Sequence, residues 1–251
     1  MNKDAAMTKD EVCQRIRDIG VIPAIRVSSA EDAHFAADTV CRGGIPIVEI
    51  TMTVPEAVEL ITHLVRHHRK VIVGAGTVLN VEVAKKCVDA GANFVTAPGF
   101  NAGVVEFAIE NKVAVLPGAF TPSEVINAWQ AGADFVKVFP CGIGGEKYIK
   151  ALNTALPEIP LIAAGGVTQH TASAFILAGA SAIGVGTELI PLEAIASRET
   201  ERIEELARRF LTFVKNARQR LSPPTEVVAG AKTDFNKLHK RPAADKSGTQ
   251  Q

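Results

Sequence analysis

Two ionisable side chains interrupt apolar runs that otherwise resemble buried β-strands. Lys137 lies within the run FVKVF, and Glu49 lies within the run IVEIT. Burial of a charge is costly unless the charge is paired or used, so each position needs an explanation. A lysine amine can attack a carbonyl carbon to form a Schiff base, and a carboxylate can transfer protons. The alternative is a core ion pair between Lys137 and Glu49 with no chemical role.

The residues around Lys137 favour the chemical interpretation. Side chains alternate along a strand, so Phe135, Lys137 and Phe139 share one face, and Pro140 places Lys137 near the end of the strand. Desolvation by two phenylalanines favours the unprotonated, nucleophilic amine. Lys137 and Glu49 both lie toward the carboxyl ends of their strands, where parallel barrels carry their active sites.

Glycine-rich segments follow the last two apolar runs of the chain. Gly165 and Gly166 follow one run, and the segment Gly184-Val185-Gly186-Thr187 ends the other. Backbone N–H groups of such loops bind phosphate in parallel barrels, although tight turns alone would also explain the glycines. Three more glycines extend the same rim after the Lys137 strand: Gly142, Gly144 and Gly145.

The histidines do not favour a catalytic metal. Five of the six lie in predicted outer helices or in the C-terminal segment, and only His170 follows a strand near the expected mouth of a barrel. A zinc-dependent enzyme needs two or three imidazoles that converge on one ion. We therefore expect no catalytic metal and no cofactor.

Eight apolar runs alternate with helical patterns. This alternation predicts right-handed βαβ units and a parallel sheet, and eight units close into a (β/α)8 TIM barrel, of class α/β. A doubly wound open sheet is the alternative, but no GxGxxG motif follows the first run. The predicted strands span 21–27, 45–52, 71–78, 93–99, 114–120, 135–140, 161–167 and 182–189.

Additional segments flank the eight units. The spacing of Thr8 and Glu11 predicts a capped extra helix over 8–18 that could close the bottom of the barrel. A long amphipathic helix is predicted from about 197 to 220, ahead of Pro223 and Pro224. Residues 1–221 should form the barrel, and the polar residues 222–251 should form a disordered tail.

Composition limits the partners that the chain can have. The 251 residues include 27 basic and 27 acidic side chains, and 47% are hydrophobic. This balance of charges indicates neither a nucleic-acid surface nor a membrane partner. It is compatible with a small neutral or anionic ligand. The four cysteines have no metal-ligand spacing and are too few for a disulfide framework, which predicts reduced thiols. The first residues contain no apolar stretch typical of a signal peptide, and no run of about 18 apolar residues occurs, so we expect a cytosolic location.

Six ordered motifs together resemble one known family. They are VEIT (48–51), GAGTV (74–78), APG (97–99), LPG (116–118), FVKVFP (135–140) and GGV (165–167). This series, which spans about residues 10–195, resembles the 2-keto-3-deoxy-6-phosphogluconate and 4-hydroxy-2-oxoglutarate aldolases. The resemblance implies a metal-independent class I aldolase, usually a homotrimer, that cleaves a 2-keto-3-deoxy-6-phospho sugar acid to pyruvate and glyceraldehyde 3-phosphate. 4-Hydroxy-2-oxoglutarate, which gives glyoxylate, is the other substrate it implies.

The resemblance assigns roles to residues of this sequence. It places the Schiff base on Lys137 and general acid/base catalysis on Glu49. Many members carry an arginine where this chain has Thr53, and Arg26 is expected to replace it. Where the phosphogluconate-specific pattern has threonine, this chain has Ala164, which leaves the C4 stereochemistry open. The expected substrate-binding residues are Arg26, Thr53, Thr77, Pro98, Phe139, Ala164, Gly165, Gly166, Gly186 and Thr187.

Two other classes of function remain open from the residues alone. One is a phosphosugar-binding barrel with epimerase or isomerase chemistry, and the other is a non-catalytic trimeric binding protein. Only the aldolase requires a covalent imine on Lys137.

Overall fold

Nine parallel strand segments form one sheet that curves into a barrel. The computed structural model describes residues 7–221, and its strands occur in the order β5-β4-β3-β2-β1-β9-β8-β7-β6. The segments are β1 (Val21–Ile25), β2 (Ile47–Thr51), β3 (Ile72–Gly76), β4 (Phe94–Thr96), β5 (Ala114–Leu116), β6 (Gly118–Ala119), β7 (Val136–Val138), β8 (Leu161–Ala164) and β9 (Ala182–Val185).

The fifth predicted strand is split into two segments. β5 and β6 are separated only by Pro117, which has no N–H to donate to a strand ladder. β5 pairs with β4 and β6 pairs with β7, so the two edges of the sheet are consecutive pieces of the chain. The predicted (β/α)8 TIM barrel is therefore confirmed, with shorter strands than the sequence suggested.

Helices connect the strands and cover the outside of the barrel. Side chains cap several of their N-termini; the Ser29 hydroxyl, for example, accepts a hydrogen bond from Asp32 N–H. The helices are α1 (Lys9–Ile19), α2 (Ala30–Arg42), α3 (Ala57–His67), α4 (Val81–Asp89), α5 (Ala102–Glu110), α6 (Pro122–Gln130), α7 (Gly145–Ala155), α8 (Ala172–Leu177), α9 (Leu192–Ala196) and α10 (Thr200–Leu221), with a 3-10 turn at Cys141–Ile143.

The turns from helix back to strand use glycine for its conformational freedom. Gly91, Gly132 and Gly179 follow α4, α6 and α8, and their φ angles of 95°, 99° and 104° lie in the left-handed region. Residues with a Cβ rarely adopt this conformation. The repeated Ala-Gly-Ala motif therefore marks the same short turn into β4, β7 and β9.

The predicted extra helix α1 lies near the amino ends of the strands. Its N-terminus is capped by Thr8 and Glu11, which exchange hydrogen bonds as a capping box. Lys9 Nζ lies 2.7 Å from the Asp134 carboxylate, just ahead of β7, and the Arg17 guanidinium stacks 4.6 Å from the ring centre of Phe135. These contacts fit a helix that closes the bottom of the barrel.

The C-terminal part of the barrel differs slightly from the prediction. The long amphipathic helix α10 begins at Thr200, after the short helix α9 that the sequence did not predict. The predicted tail, 222–251, lies outside the described residues. Within residues 7–221, no helix is long and apolar enough to cross a membrane.

Candidate active site

Lys137 and Glu49 meet inside the barrel. Lys137 Nζ lies 3.3 Å from Glu49 Oε2 and 3.4 Å from Oε1. The two residues are 8% and 4% exposed, although they come from β7 and β2, which are not neighbours in the sheet. The expected pair therefore spans the interior of the barrel, where little water can solvate its charges.

Small residues on neighbouring strands make room for the pair. A Cβ at Gly76 would lie 2.1 Å from Glu49 Oε1, so any larger residue there would displace the carboxylate. Across the barrel, Gly118 aligns with Lys137 in the β6–β7 ladder. A Cβ at Gly118 would lie 2.1 Å from the carbonyl carbon of Pro98. Steric contacts therefore explain why glycine occupies Gly76 of the GAGTV motif and Gly118 of the LPG motif.

The pair opens into a cavity of about 420 Å³. This volume lies within the range of about 300–1,000 Å³ typical of small-molecule sites. The Phe139 ring centre lies 5.9 Å from Lys137 Nζ and covers one side of the amine. Nine of the twelve predicted site residues line this cavity: Arg26, Glu49, Lys137, Phe139, Ala164, Gly165, Gly166, Gly186 and Thr187.

Glycine backbones form the rim of the cavity opposite the strands. Gly165 and Gly166 have φ angles of 78° and 92°, and Gly142 N–H donates to Gly165 O at 2.8 Å. Within residues 7–221, no acceptor is found for the backbone N–H groups of Gly166 and Thr187. Unpaired backbone N–H groups at a cavity are suited to bind an anion.

Arg26 supplies a cation to the same cavity. It follows β1, its side chain is exposed, and it has no carboxylate partner among the described residues. Thr51 Oγ1 donates to Ile25 O at 2.9 Å and lies 2.8 Å from Thr53 Oγ1. Thr53 is therefore linked through Thr51 to the strand end that carries Arg26, although Thr53 does not itself line the cavity.

Thr77 and Pro98 lie beside the pair rather than on the glycine rim. Thr77 directly follows Gly76, and its φ angle of 59° is strained for a β-branched residue. Pro98 packs its backbone against Gly118, the residue aligned with Lys137. Neither residue lines the 420 Å³ cavity.

Two polar residues that line the cavity were not predicted from the sequence. Thr168 and Glu188 both line it, and the Glu188 carboxylate accepts a hydrogen bond from Gln169 N–H at 3.4 Å. Both lie in loops, where polar residues are common and carry no periodic signal. Lys147, which follows the glycines after β7, is exposed on α7 and does not line the cavity.

The thiol nearest the site is not a competing nucleophile. Cys141 is free and fully buried, and its Sγ lies 3.4 Å from Gly165 O. Burial raises its pKa to about 12, so the thiol stays protonated near neutral pH. The other three cysteines are free as well, as predicted.

A parallel barrel with a buried lysine beside a carboxylate at the carboxyl ends of its strands has the architecture and the side chains that Schiff-base chemistry requires. The family model for KDPG and KHG aldolase matches residues 12–206. The chain belongs to this family of 2-keto-3-deoxy-6-phosphogluconate and 4-hydroxy-2-oxoglutarate aldolases, and it is an aldolase, a lyase.

Relatives and solved structures agree with this assignment. The chain is 30% identical over 205 residues to 2-dehydro-3-deoxy-phosphogluconate aldolase of Treponema pallidum, covering 81% of this chain and 96% of the relative. It is 31% identical over 201 residues to 2-dehydro-3-deoxy-6-phosphogalactonate aldolase of Escherichia coli, covering 79% and 95%. The crystal structure of KDPG aldolase from Legionella pneumophila, with pyruvate captured as a covalent carbinolamine, is 26% identical with a TM-score of 0.73, covering 80% and 97%.

Proposed function

We propose that Lys137 forms the Schiff base and that the chain cleaves 2-keto-3-deoxy-6-phospho sugar acids to pyruvate and glyceraldehyde 3-phosphate. 4-Hydroxy-2-oxoglutarate, which would yield pyruvate and glyoxylate, is a second substrate of the same chemistry. The observation that carries the proposal is the buried Lys137–Glu49 pair, 3.3 Å apart, at the base of a cavity of ligand size. The carbinolamine captured in the Legionella pneumophila relative supports it.

Each chemical step uses one of these two side chains. The Lys137 amine adds to the C2 carbonyl of the substrate, and Glu49 donates a proton as the carbinolamine loses water. The protonated imine then accepts the electron pair of the C3–C4 bond as Glu49 removes the proton of the C4 hydroxyl. The aldehyde leaves, the enamine is protonated at C3, and water hydrolyses the imine to release pyruvate and Lys137.

The two ends of the substrate fit opposite sides of the cavity. Arg26, which lines the cavity, would bind the carboxylate of the pyruvate portion. The resemblance assigns Thr77 to the same carboxylate, and Thr77 directly follows Gly76, which lies against Glu49. The backbone N–H groups of Gly166 and Thr187 would bind the phosphate, because they lack an acceptor within the described residues. Phe139 covers one side of the amine, where its ring would pack against the bound pyruvate portion.

Ala164 bears on which C4 epimer is cleaved. It lines the cavity directly ahead of Gly165, and its side chain has no hydroxyl to bind the substrate near C4. A site that lacks one such polar contact loses discrimination more than chemistry. The similarity to both a phosphogluconate and a phosphogalactonate aldolase supports activity on both epimers.

Pyruvate release from both phosphorylated epimers and from 4-hydroxy-2-oxoglutarate tests the proposal. We expect both epimers to be cleaved, and we expect Ala164→Thr to widen their ratio of kcat/KM by roughly tenfold, which corresponds to about 1.4 kcal/mol. An unchanged ratio would show that Ala164 does not determine stereochemistry. Cleavage of 4-hydroxy-2-oxoglutarate alone would refute the phosphate site, and no pyruvate from any of the three would refute the proposed function.

A homotrimer is proposed from the resemblance and from an apolar patch at the barrel rim. Leu79, Val81 and Phe100 are exposed by 57%, 41% and 39%. Asn101 Nδ2 donates to Leu79 O at 3.1 Å and so joins the segment at the start of α4 to the segment ahead of α5. Adjacent exposed apolar side chains are typical of an interface between chains.

The cytosolic location stays a prediction from the sequence.

A further inference from the structure

Three potential metal ligands converge on the outside of the barrel, between α2 and α3. Asp38 Oδ2 lies 3.1 Å from His34 Nδ1, one turn earlier on α2. Asp38 Oδ1 lies 3.3 Å from His68 Nε2, at the residue that ends α3. One ligand atom of each side chain lies within 4.8 Å of those of the other two. We name these three residues the His–Asp cluster.

Two of the separations within the His–Asp cluster, one to each oxygen of Asp38, are close to those around a tetrahedral ion. Zinc binds imidazole nitrogen and carboxylate oxygen at about 2.0–2.2 Å, which places its ligand atoms about 3.3 Å apart. Both nitrogen–oxygen separations are already close to this distance. The three side chains are 37%, 31% and 32% exposed, so water can reach the ion as a fourth ligand.

Asp38 has an unsatisfied oxygen that a cation would complete. Oδ1 is buried from solvent and accepts no hydrogen bond within residues 7–221, although His68 Nε2 lies at ion-pair distance. A buried acceptor without a partner destabilises the fold unless another group compensates it. A metal ion bound at Oδ1 would remove this cost.

The backbone holds the three ligands in place. His34 and Asp38 are four residues apart on α2 and so share one face of the helix. His68 N–H donates to Leu64 O at 2.8 Å, and His68 O accepts from Val71 N–H at 2.8 Å. Because both main-chain groups of His68 are bonded, the imidazole is presented from a fixed turn between α3 and β3.

The surroundings of the cluster attract cations. His34 and Asp38 line an open groove of about 710 Å³ together with the carboxylates of Glu56 and Glu59 and the Glu31–Arg198 ion pair. The His63 ring lies 4.9 Å from the His34 ring and offers a further imidazole. An acidic groove raises the local concentration of a divalent cation.

We propose that the His–Asp cluster binds Zn²⁺ as a structural ion that fastens α2 to α3. Two imidazoles favour zinc over calcium or magnesium, which prefer oxygen ligands. None of the three ligands lines the active-site cavity, so the ion takes no part in the aldol reaction. A structural zinc site on the outside of the barrel is compatible with the histidine positions in the sequence, which argue only against a catalytic metal at the mouth.

Titration of the untagged, chelator-treated full-length protein with Zn²⁺ tests this site. We expect one high-affinity zinc per chain, with affinity lowered at least about tenfold in His68→Gln and in Asp38→Asn, as for removal of supporting groups at other metal sites. His170→Gln removes a histidine from an exposed loop outside the cluster and should bind zinc like the wild type. Calcium should not compete.

Two further readouts distinguish ligation from a folding defect. Excess zinc should raise the Tm of the wild type and of His170→Gln, but not that of Asp38→Asn, which keeps nearly the same shape. Cobalt(II), used as a probe, should show the intense d–d bands of a tetrahedral site. The proposal is wrong if the wild type binds no zinc, or if both cluster variants bind zinc as tightly as the wild type.

Discussion

At the scale of single residues, a contribution to folding stability does not explain why Lys137 and Glu49 are buried as a pair. Removing two charges from water costs several kcal/mol for each, and apolar residues of similar volume often stabilise a core as well or better. The pair lies where β2 and β7 face each other across a cavity, beside an arginine with no carboxylate partner within residues 7–221. This placement supports the chemical role that we propose for the pair.

The role of Glu49 as a proton carrier can be tested by Glu49→Gln. The glutamine keeps the shape but cannot exchange a proton, so kcat should fall by about 10²–10⁴-fold, while the imine with pyruvate still forms slowly. Steady-state kinetics of pyruvate release measure the effect. Glu106→Gln, an exposed change on α5, is the control. Equal activity of Glu49→Gln and wild type would reduce Glu49 to a structural partner of Lys137.

The sequence identifies some site residues better than others. Lys137 and Glu49 are detectable because charges stand out in apolar runs. Thr77 and Pro98 are ordinary residue types, and only the ordered motifs of the family single them out. Thr168 and Glu188 are loop residues of the cavity with no pattern at all, because loop conformation decides whether they face a ligand.

At the scale of secondary structure, the alternation of strands and helices predicts the barrel because buried parallel strands are continuous apolar runs. The ends of the strands were less predictable. Pro117 divides the predicted fifth strand into two segments. Of the nine strand segments, β6 contains two residues and five others contain three or four. Where a ladder ends depends on hydrogen bonds between strands distant in sequence, which a local pattern does not contain.

Gly76 shows how a strand positions a catalytic group, and Gly76→Ala tests it. The added Cβ would lie 2.1 Å from Glu49 Oε1, so the carboxylate must move by about 1 Å, a displacement that can cost about 10²-fold in rate. We expect kcat to fall by this order with the fold retained, as checked by circular dichroism. Gly99→Ala is the matched control, because its Cβ meets nothing within 4 Å. Equal kcat values for the two variants would contradict this role.

At the scale of the whole molecule, tertiary structure brings together groups that the sequence separates. Lys137 and Glu49 are 88 positions apart and come from strands on different sides of the barrel. The His–Asp cluster joins the middle of α2 to the end of α3. The sequence placed these histidines on outer helices, but only the packing of α2 beside α3 shows which side chains meet.

The proposed trimer depends on the apolar patch of Leu79, Val81 and Phe100. Light scattering coupled to gel filtration should give the mass of three chains of 26.6 kDa for the wild type. Leu79→Glu places a charge in the patch and should lower the mass, since charges are depleted at interface cores. Leu192→Glu, which changes a leucine of similar exposure on α9, should remain trimeric. A monomeric wild type would contradict the trimer.

Covalent trapping of pyruvate tests directly whether Lys137 forms the Schiff base. The full-length protein is incubated with pyruvate, reduced with borohydride and weighed intact, and peptide mapping locates the modified residue. We expect one reduced pyruvate adduct per chain, on Lys137, and none in Lys137→Ala. Lys147→Ala, which removes an exposed lysine on α7, should be modified like the wild type. An unmodified wild type under conditions that trap another class I aldolase, or an adduct that persists in Lys137→Ala, would contradict this expectation.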